Sequence, residues 1–535
     1  MITPQTDVYL LKVPLEIDST NQLTFNNAEA QFNYFNSLPK LAFDNFTYQR
    51  KDGVLRLPVL VDNIMEYNYV MYRNEAYSSK WFYAYITDLE YLSDGVTAVA
   101  IKTDVWQTWQ FNLNYKPVFV EREHVNDDRF GLHTIPENLE TGEYVRDING
   151  VDFSFNDEYW LAFQVTELIS NMDDGGGTGG RIYNGIYNGL TIVLLDNYIT
   201  ANNLVSAYDD AGKHEAIISC FYVPKALEPS PYVNSGVVLH DVTSTIYFPR
   251  TRNTAVRLAN LTIDKPTNID GYVPKNNKLF TQQFCYLQAS NNSGADTIYS
   301  FEDFRVNGTS QTQASFRVEG VISQGCNIKL YPESFYKSPS NGTPGYTMGG
   351  YNYGLSAGKL PICSWNSDYY TNWLTQNAVN IGTSSVSGII NTGLNLATGN
   401  VVGAGVSLFN TIASNVTKTY EASLVPNQAK GNTNCGDINF ALDKNISIHV
   451  MTIRREYAII CDNFFTQFGY KVNRVKVPNI TGRRNWNYVK TIGCYIEANI
   501  PQDDLQEIKS MFDKGITFWH NPATFADYNQ NNDII

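Results

Sequence analysis

Along the chain the apolar positions recur mostly with a period of two, broken by short clusters of turn-forming residues, which predicts many modest β-strands. The clearest strand begins at Trp81. Trp81, Tyr83, Tyr85, Leu89 and Tyr91 fall on one face by alternation, Ser93-Asp94-Gly95 supplies a turn, and Val96 to Thr103 returns, so the segment predicts a β-hairpin. Asp104-Val105-Trp106-Gln107-Thr108-Trp109 follows with no Gly or Pro break, and Lys116 to Val125 reads as another strand. Two stretches change to helical spacing. Ala28 to Ser37 sets Phe32 and Phe35 three apart and stops before Pro39. Pro501 to Gly515 places Leu505, Ile508, Met511 and Phe512 on one face, Asp503, Asp504 and Glu507 in the first turns, Lys509 and Lys514 later, and Gly515 at the end.

Between residues 126 and 370 strand-like text continues but is interrupted by loops. The glycines of Asp173-Asp174-Gly175-Gly176-Gly177-Thr178-Gly179-Gly180 suggest a phosphate cradle, yet Arg181-Ile182-Tyr183 follows where a phosphate lysine and a hydroxyl are needed, so the segment reads as a flexible loop. Ser338 to Gly354, dense in Gly, Pro, Ser and Asn, is a second loop-like zone.

The pattern then changes in kind. Tyr369 to Thr417 is a run of 49 residues without one Asp, Glu, Lys or Arg. Inside it, Ile390, Leu394, Ala397, Val401, Ala404, Leu408 and Ile412 recur at spacings of three and four, and Gly399 and Gly403 form a GxxxG, so the stretch can form close-packed helices. Asn391, Asn395, Asn400 and Asn410 interrupt it, so it never supplies the ~20 predominantly apolar residues of a permanent transmembrane helix. Entry into a membrane under some condition stays open.

Composition narrows the function. Charged residues make up 17% and aromatics 13%, and there are 57 Asn, a mixture suited to strands joined by many turns. The net charge of −14 repels nucleic acid phosphate and excludes a sequence-reading nucleic-acid binder. Against that background, Arg454, Arg455, Lys471, Arg474, Lys476, Arg483, Arg484 and Lys490 oppose only Glu456 and Asp462, a local net of +6 that predicts an exposed or subunit-facing basic surface, with nucleic-acid contact as the other reading. Seven cysteines without a CxxC, in odd number, indicate neither a zinc knuckle nor a disulfide framework, and six dispersed histidines offer no metal-ligand spacing. The start, Met1-Ile2-Thr3-Pro4-Gln5, shows no secretory signal pattern, so first folding in a cytoplasm is expected.

Catalytic candidates are few. Asp127-Asp128, Asp173-Asp174, Asp209-Asp210 and Asp503-Asp504 are carboxylate pairs, but neighbours on a strand point apart and the last pair suits a helix start. No GxSxG elbow and no recognisable Cys or Ser nucleophile is present. The polar, aromatic composition leaves two functional alternatives, a cell-wall hydrolase and a carbohydrate receptor-binding protein acting through residues 126 to 370.

Two blocks carry a resemblance. The first runs from Gln31 to Val125 and includes Gln31-Phe32-Asn33-Tyr34-Phe35-Asn36-Ser37, Lys80-Trp81-Phe82-Tyr83-Ala84, Asp104 to Trp109 and Arg122-Glu123-His124-Val125. The second runs from Arg455 to His520, with Gly469-Tyr470-Lys471-Val472-Asn473-Arg474-Val475-Lys476, Asn487-Tyr488, Asp504-Leu505-Gln506-Glu507-Ile508 and Phe512 to His520. Together they resemble the tail knob proteins, the distal tail-tube proteins, of small short-tailed bacteriophages of Gram-positive bacteria. The resemblance stops between residues 126 and 370.

It implies a mainly β chain with short helices, in which the end blocks form β-rich tube domains that assemble into a hexameric ring carrying the genome outward. Residues 1–125 and 426–535, the latter with terminal helix 501–515, are then the tube parts, 126–370 is a β-rich middle region with long loops, and 371–425, uncharged as far as Thr417, is a Gly/Ala/Ser-rich plug. The resemblance gives that plug a second role, penetration of the host cytoplasmic membrane after release. On this chain its candidate residues are Ile389, Ile390, Leu394, Leu396, Val401, Val402, Leu408, Phe409 and Ile412, with Gly399 and Gly403 for helix packing. A segment without charges can rest in a tube and later enter lipid without the cost of burying ions. The expected protein is a non-enzymatic virion component of the tail tip, made in the host cytoplasm, with no cofactor and no metal. Its expected partners are further copies of itself, other tail and collar proteins, passing genomic DNA, and transiently the host membrane.

Overall fold

The computed structural model describes residues 6–44, 53–74, 80–155, 158–175, 182–183, 186–187, 190–250, 255–306, 309–322, 327–335, 353–358, 360–366, 430–434 and 444–535. Within them the chain is mostly β. The five α-helices among the described residues are Ala28–Ser37, Val105–Trp109, Tyr198–Asp210, Arg455–Phe468 and Gln502–Lys514. The chain forms two compact units, each assembled from separated stretches. The first takes residues 1–142, 271–279 and 455–535, and the second takes 143–270 and 280–454.

The first unit is built on a six-stranded sheet in the order Lys40–Phe43, Thr6–Leu11, Tyr69–Asn74, Trp81–Ser93, Val96–Thr103, Val54–Leu57. Its two faces enter two different cores. Val8, Leu10, Val70, Tyr72, Phe82, Ala84 and Val99 pack with Ile508, Phe512 and Phe518. Leu11, Tyr69, Met71, Tyr83 and Tyr85 pack instead with Phe35, Trp486 and Trp519. Two-sided burial turns Phe82 to Tyr85 into an unbroken buried run, where a half-exposed sheet would alternate. Each fully buried large side chain contributes roughly 1.5–3 kcal/mol of transfer free energy, so both faces hold the sheet.

The expected hairpin forms, as Trp81–Ser93 pairs with Val96–Thr103. Trp81, Tyr83 and Tyr85 share a face as the alternation predicts, but Leu89 does not join them. The register slips between Ile86 and Asp88, and Leu89 comes opposite Val99 and packs on the Phe82 side. A β-bulge inserts one extra residue and reverses the parity of everything beyond it, a change invisible to a period-two count. Tyr91 ends half exposed, at 52%.

Both predicted helices form. Asn27 caps the first through Oδ1, which accepts Ala30 N–H at 2.8 Å, and Phe35 stacks on Tyr69 at 5.6 Å between ring centres. Leu38 leaves the helix with ψ 156°, as the residue before a proline must. The helix Gln502–Lys514 buries Leu505, Ile508, Met511 and Phe512, the four residues that its spacing places on one face.

A five-stranded sheet joins the two ends of the chain in this unit. Its order is Asn21–Leu23, Ile516–Trp519, Trp486–Ile492, Val118–Glu123, Tyr470–Lys476. Asn21–Leu23 runs parallel to Ile516–Trp519, and Val118–Glu123 lies between two strands from the C-terminal block.

The second unit holds a seven-stranded sheet in the order Tyr232–Leu239, Val242–Phe248, Thr191–Leu195, Tyr159–Val165, Ile217–Pro224, Ile362–Asn366, Lys430–Asn434. The helix Tyr198–Asp210 covers it through Leu204, Ala207 and Tyr208. Among the described residues two four-stranded sheets and two short two-stranded pairs complete the unit. At the end of the seven-stranded sheet, Ile362–Asn366 and Lys430–Asn434 pair antiparallel from Ile362↔Asn434 to Asn366↔Lys430. The charge-free run Tyr369 to Thr417, with its candidate residues Ile389, Ile390, Leu394, Leu396, Gly399, Val401, Val402, Gly403, Leu408, Phe409 and Ile412, lies outside the described residues, as do residues 176–181 of the glycine-rich loop.

Candidate functional site

The motif residues of the two end blocks meet in two polar nodes of the first unit. The first is the turn Asp104 to Trp109, a short helix that Asp104 caps with Oδ1 accepting Gln107 N–H at 3.0 Å while Oδ2 accepts the Tyr69 hydroxyl at 2.9 Å. Burial holds the Asp104 carboxyl above the usual carboxylate range, against the pull of these donors. Trp106 Nε1 donates to Leu23 O at 2.9 Å, Gln107 Nε2 donates to the same oxygen at 2.7 Å, and Gln31 Nε2 donates to Gln107 O at 2.7 Å. Trp109 Nε1 donates to Asp504 Oδ2 at 2.7 Å, and no side chain caps the helix start at Pro501. Asp504 therefore anchors an indole as well as complementing the helix dipole.

The second node gathers around Val118–Glu123 and the helix Arg455–Phe468. Glu137, fully buried, is paired with Arg122 and Lys278, and its Oε1 accepts Lys471 N–H at 2.9 Å. Desolvation pushes the Lys278 ammonium below its ordinary value, and Glu137 opposes that shift. Glu123 pairs with Lys476, and its Oε2 accepts Asn479 N–H at 2.9 Å. Asp462 accepts the Tyr272 hydroxyl at 2.6 Å and the backbone N–H groups of Lys275 and Asn276 at 2.8 and 3.0 Å. Gly469, at φ +66°, stands where an added Cβ would lie 2.2 Å from Glu123 O, so only glycine lets the chain turn this close to the neighbouring strand.

His124 is locked in one state. Nδ1 accepts Tyr488 N–H at 2.7 Å, which leaves Nε2 to donate to Thr466 O at 3.1 Å. Burial, with Arg483 and Arg122 nearby, pushes it down to about 3. It lines a cleft of about 250 Å³ together with Asp128, Asn276, Thr466, Arg483 and residues 530–534. With both nitrogens engaged, the ring is not a base, and Asp128 is itself tied to the Tyr470 hydroxyl at 2.7 Å. A second cleft of about 370 Å³ is lined by Arg122, Phe464, Phe468, Lys471, Tyr488 and Lys490. Among the described residues no group of three or more His, Cys, Asp or Glu is placed to hold a metal ion.

The carboxylate pairs do not converge on a shared cleft. Asp127 binds Arg129, Asp128 binds Tyr470, Asp173 receives the Asn234 amide through its carbonyl, Asp210 meets His240, and Asp504 meets Trp109. Much of the basic stretch is neutralised: Arg454 pairs with Glu143, Lys476 with Glu123, and Lys490 with Glu121 at 2.9 Å. Arg483 points its Nε at Val125 O, 3.1 Å away. Glu137 and Asp462 carry the second node, yet apart from Arg122, fifteen residues from Glu137, the partners named here lie more than a hundred residues away. Only Gly469 marks the place in sequence.

In sequence and fold the chain is a structural component of a phage tail. Residues 247–533, more than half the chain, match the family described as Bacillus phage phi29 tail knob protein gp9, C-terminal domain, and the chain belongs to that family. Residues 4–114 match the Caudoviral major tail protein N-terminus. The chain is 27% identical to the tail knob protein gp9 of Bacillus phage B103, over 99% of this chain and 98% of that one. It is 24% identical to the gp9 proteins of Bacillus phages PZA and phi29, over 98% of each chain. In fold it is similar to the tail knob protein gp12 of bacteriophage C1, with TM-score 0.65 at 15% identity, covering 99% of this chain and 100% of that one. The protein is therefore a tail knob component of the virion, as the two end blocks imply.

Proposed function

We propose that the protein forms the distal tail tube, through which the genome leaves, and that the uncharged segment around residues 371–425 plugs this tube and later penetrates the host cytoplasmic membrane. The carrying observation is the 49-residue run from Tyr369 to Thr417 with no ionisable Asp, Glu, Lys or Arg. Its flanks support the reading. Ile362–Asn366 and Lys430–Asn434 are hydrogen-bonded neighbours, so the chain leaves and returns through adjacent strands, and the segment can move without parting the sheet that bears it. Within it, Ile389, Ile390, Leu394, Leu396, Val401, Val402, Leu408, Phe409 and Ile412 are the membrane-entering residues, and Gly399 and Gly403 let copies pack closely. In this reading residues 1–125 and 426–535 serve the tube, in a hexamer joined to other tail and collar proteins. An acidic chain lets DNA slide without sticking, because counterion release rewards basic surfaces. No reaction is assigned, since His124 is occupied on both nitrogens and the carboxylate pairs each serve separate contacts.

Dye-loaded vesicles test the plug. Full-length protein should release dye, and a variant with Ile390→Arg, Val401→Arg and Leu408→Arg should not, while electron microscopy shows rings from both. Equal leakage from the two removes the segment from the mechanism.

A further inference from the structure

Cys220 and Cys363, far apart in sequence, stand directly opposite each other in the seven-stranded sheet of the second unit. Ile217–Pro224 pairs antiparallel with Ile362–Asn366 in the register Ser219↔Ser364, Cys220↔Cys363, Phe221↔Ile362. Opposed residues of an antiparallel pair share a face, and their Cα atoms lie about 4.5 Å apart at a non-hydrogen-bonded site or about 5.5 Å at a hydrogen-bonded one. Disulfides span Cα separations of roughly 4.4–6.8 Å and Cβ separations of roughly 3.5–4.5 Å, which opposed residues approach, most closely at a non-hydrogen-bonded site. Neither cysteine is in a disulfide, and both are half buried, within reach of a small oxidant. The same cross-strand row runs on through Phe163 and Val193, which are in the core, so the pair sits at the core margin and not on a mobile tip. Cys285, by contrast, stands opposite Thr452.

We propose that Cys220 and Cys363 are a disulfide-forming pair, a dithiol where the chain is made and a cross-strand bond once a low-molecular-weight disulfide reaches the finished particle. The strand it would fasten matters. Ile362–Asn366 leads directly toward the uncharged run, and it meets Ile217–Pro224 over only three residue pairs, the middle one being the cysteines. A covalent tie there holds the root of that excursion to the sheet.

The chemistry balances as two exchanges. One cysteine thiolate attacks a sulfur of the small disulfide, forming a mixed disulfide and expelling one small thiolate. The second cysteine, deprotonated, attacks the protein-bound sulfur and expels the other. The pair loses two electrons and two protons, and the small disulfide becomes two thiols. Burial, with Cys363 beside it, pushes Cys220 up to about 12, so its thiolate is scarce at pH 7 and a higher pH speeds closure.

Full-length protein incubated with oxidised glutathione at pH 8 tests the proposal. Each chain should release two equivalents of glutathione, and a non-reducing digest should contain one peptide pair joined through Cys220 and Cys363, lost on adding dithiothreitol. Cys220→Ser or Cys363→Ser should release one equivalent and keep one glutathione bound. The proposal is overturned if wild-type protein retains bound glutathione at either cysteine, if both thiols stay unreacted, or if either bonds another cysteine in greater yield. The wild-type map decides this without the variants, so a variant that fails to fold does not spare the proposal.

Discussion

Lowering the pH from 7 to 5 should destabilise the first unit through two histidines that the fold keeps neutral. His124 is pushed from its ordinary 6.5 to about 3, and His520, buried with Nε2 donating to Asn487 Oδ1 at 3.0 Å, is pushed to about 4. In each case the unfolded chain takes up a proton that the folded chain refuses. The stability they contribute is whole above pH 6.5 and is lost as pH falls, until the folded rings themselves titrate near 3 and 4. At pH 5 an unfolded imidazole is about 97% protonated, worth roughly 2 kcal/mol per histidine, or about 4 kcal/mol for the pair. Buried Asp104 and Asp128 are held above the usual carboxylate range and act in the opposite sense, while His133, lowered by burial, adds to the loss. The substitution His124→Gln isolates one term, because a Gln amide can accept Tyr488 N–H and donate to Thr466 O without titrating. Urea midpoints followed by tryptophan fluorescence suit the test, since Trp486 Nε1 donates to that same Thr466 oxygen at 2.9 Å. The variant should lose about 2 kcal/mol less than wild type between pH 7 and 5. Identical losses in the two proteins would refute the idea that a trapped neutral ring drives the acid sensitivity.

Two further outcomes follow from the second node. Glu137→Gln leaves Lys278 and Arg122 without their shared carboxylate and should cost about 3–5 kcal/mol, with most of the loss recovered by adding Lys278→Met; hydrogen exchange at the Lys471 amide, which Glu137 accepts at 2.9 Å, reads the local effect. Gly469→Ala should cost more than about 2 kcal/mol, because the new Cβ would sit 2.2 Å from Glu123 O at φ +66°, whereas Gly95→Ala, with nothing within 4 Å, should shift the thermal midpoint by little.

What could be read from the chain divides by the range over which its cause acts. The helices Ala28–Ser37 and Gln502–Lys514 are legible because capping, spacing and stop signals all lie within fifteen residues. The hairpin at Trp81 is legible up to the slip after Ile86, where the bulge moves Leu89 to the other core. Nothing local announces that Glu137 meets Lys278, or that Cys220 faces Cys363, because a register is set by the whole sheet and not by either strand. The charge-free run is legible as an anomaly of composition, but only the pairing of Ile362–Asn366 with Lys430–Asn434 brings its two flanks together.

The same physics explains why the two end blocks carry a recognisable signature, although the likeness to the gp9 proteins runs through nearly the whole chain. The first unit closes through Asn21–Leu23 against Ile516–Trp519 and through Val118–Glu123 between two C-terminal strands, with Trp106 4.5 Å from Phe518 between ring centres. Residues in such contacts cannot change alone: Gly469 meets a backbone oxygen, Asp104 caps a buried turn, and Glu137 balances two cations. The chain between the ends faces a weaker constraint, since doubling a closed loop costs only about 0.6 kcal/mol. Long insertions between the halves of the first unit are therefore nearly neutral for its stability, and each insertion must satisfy only its own core, as the seven-stranded sheet of the second unit does.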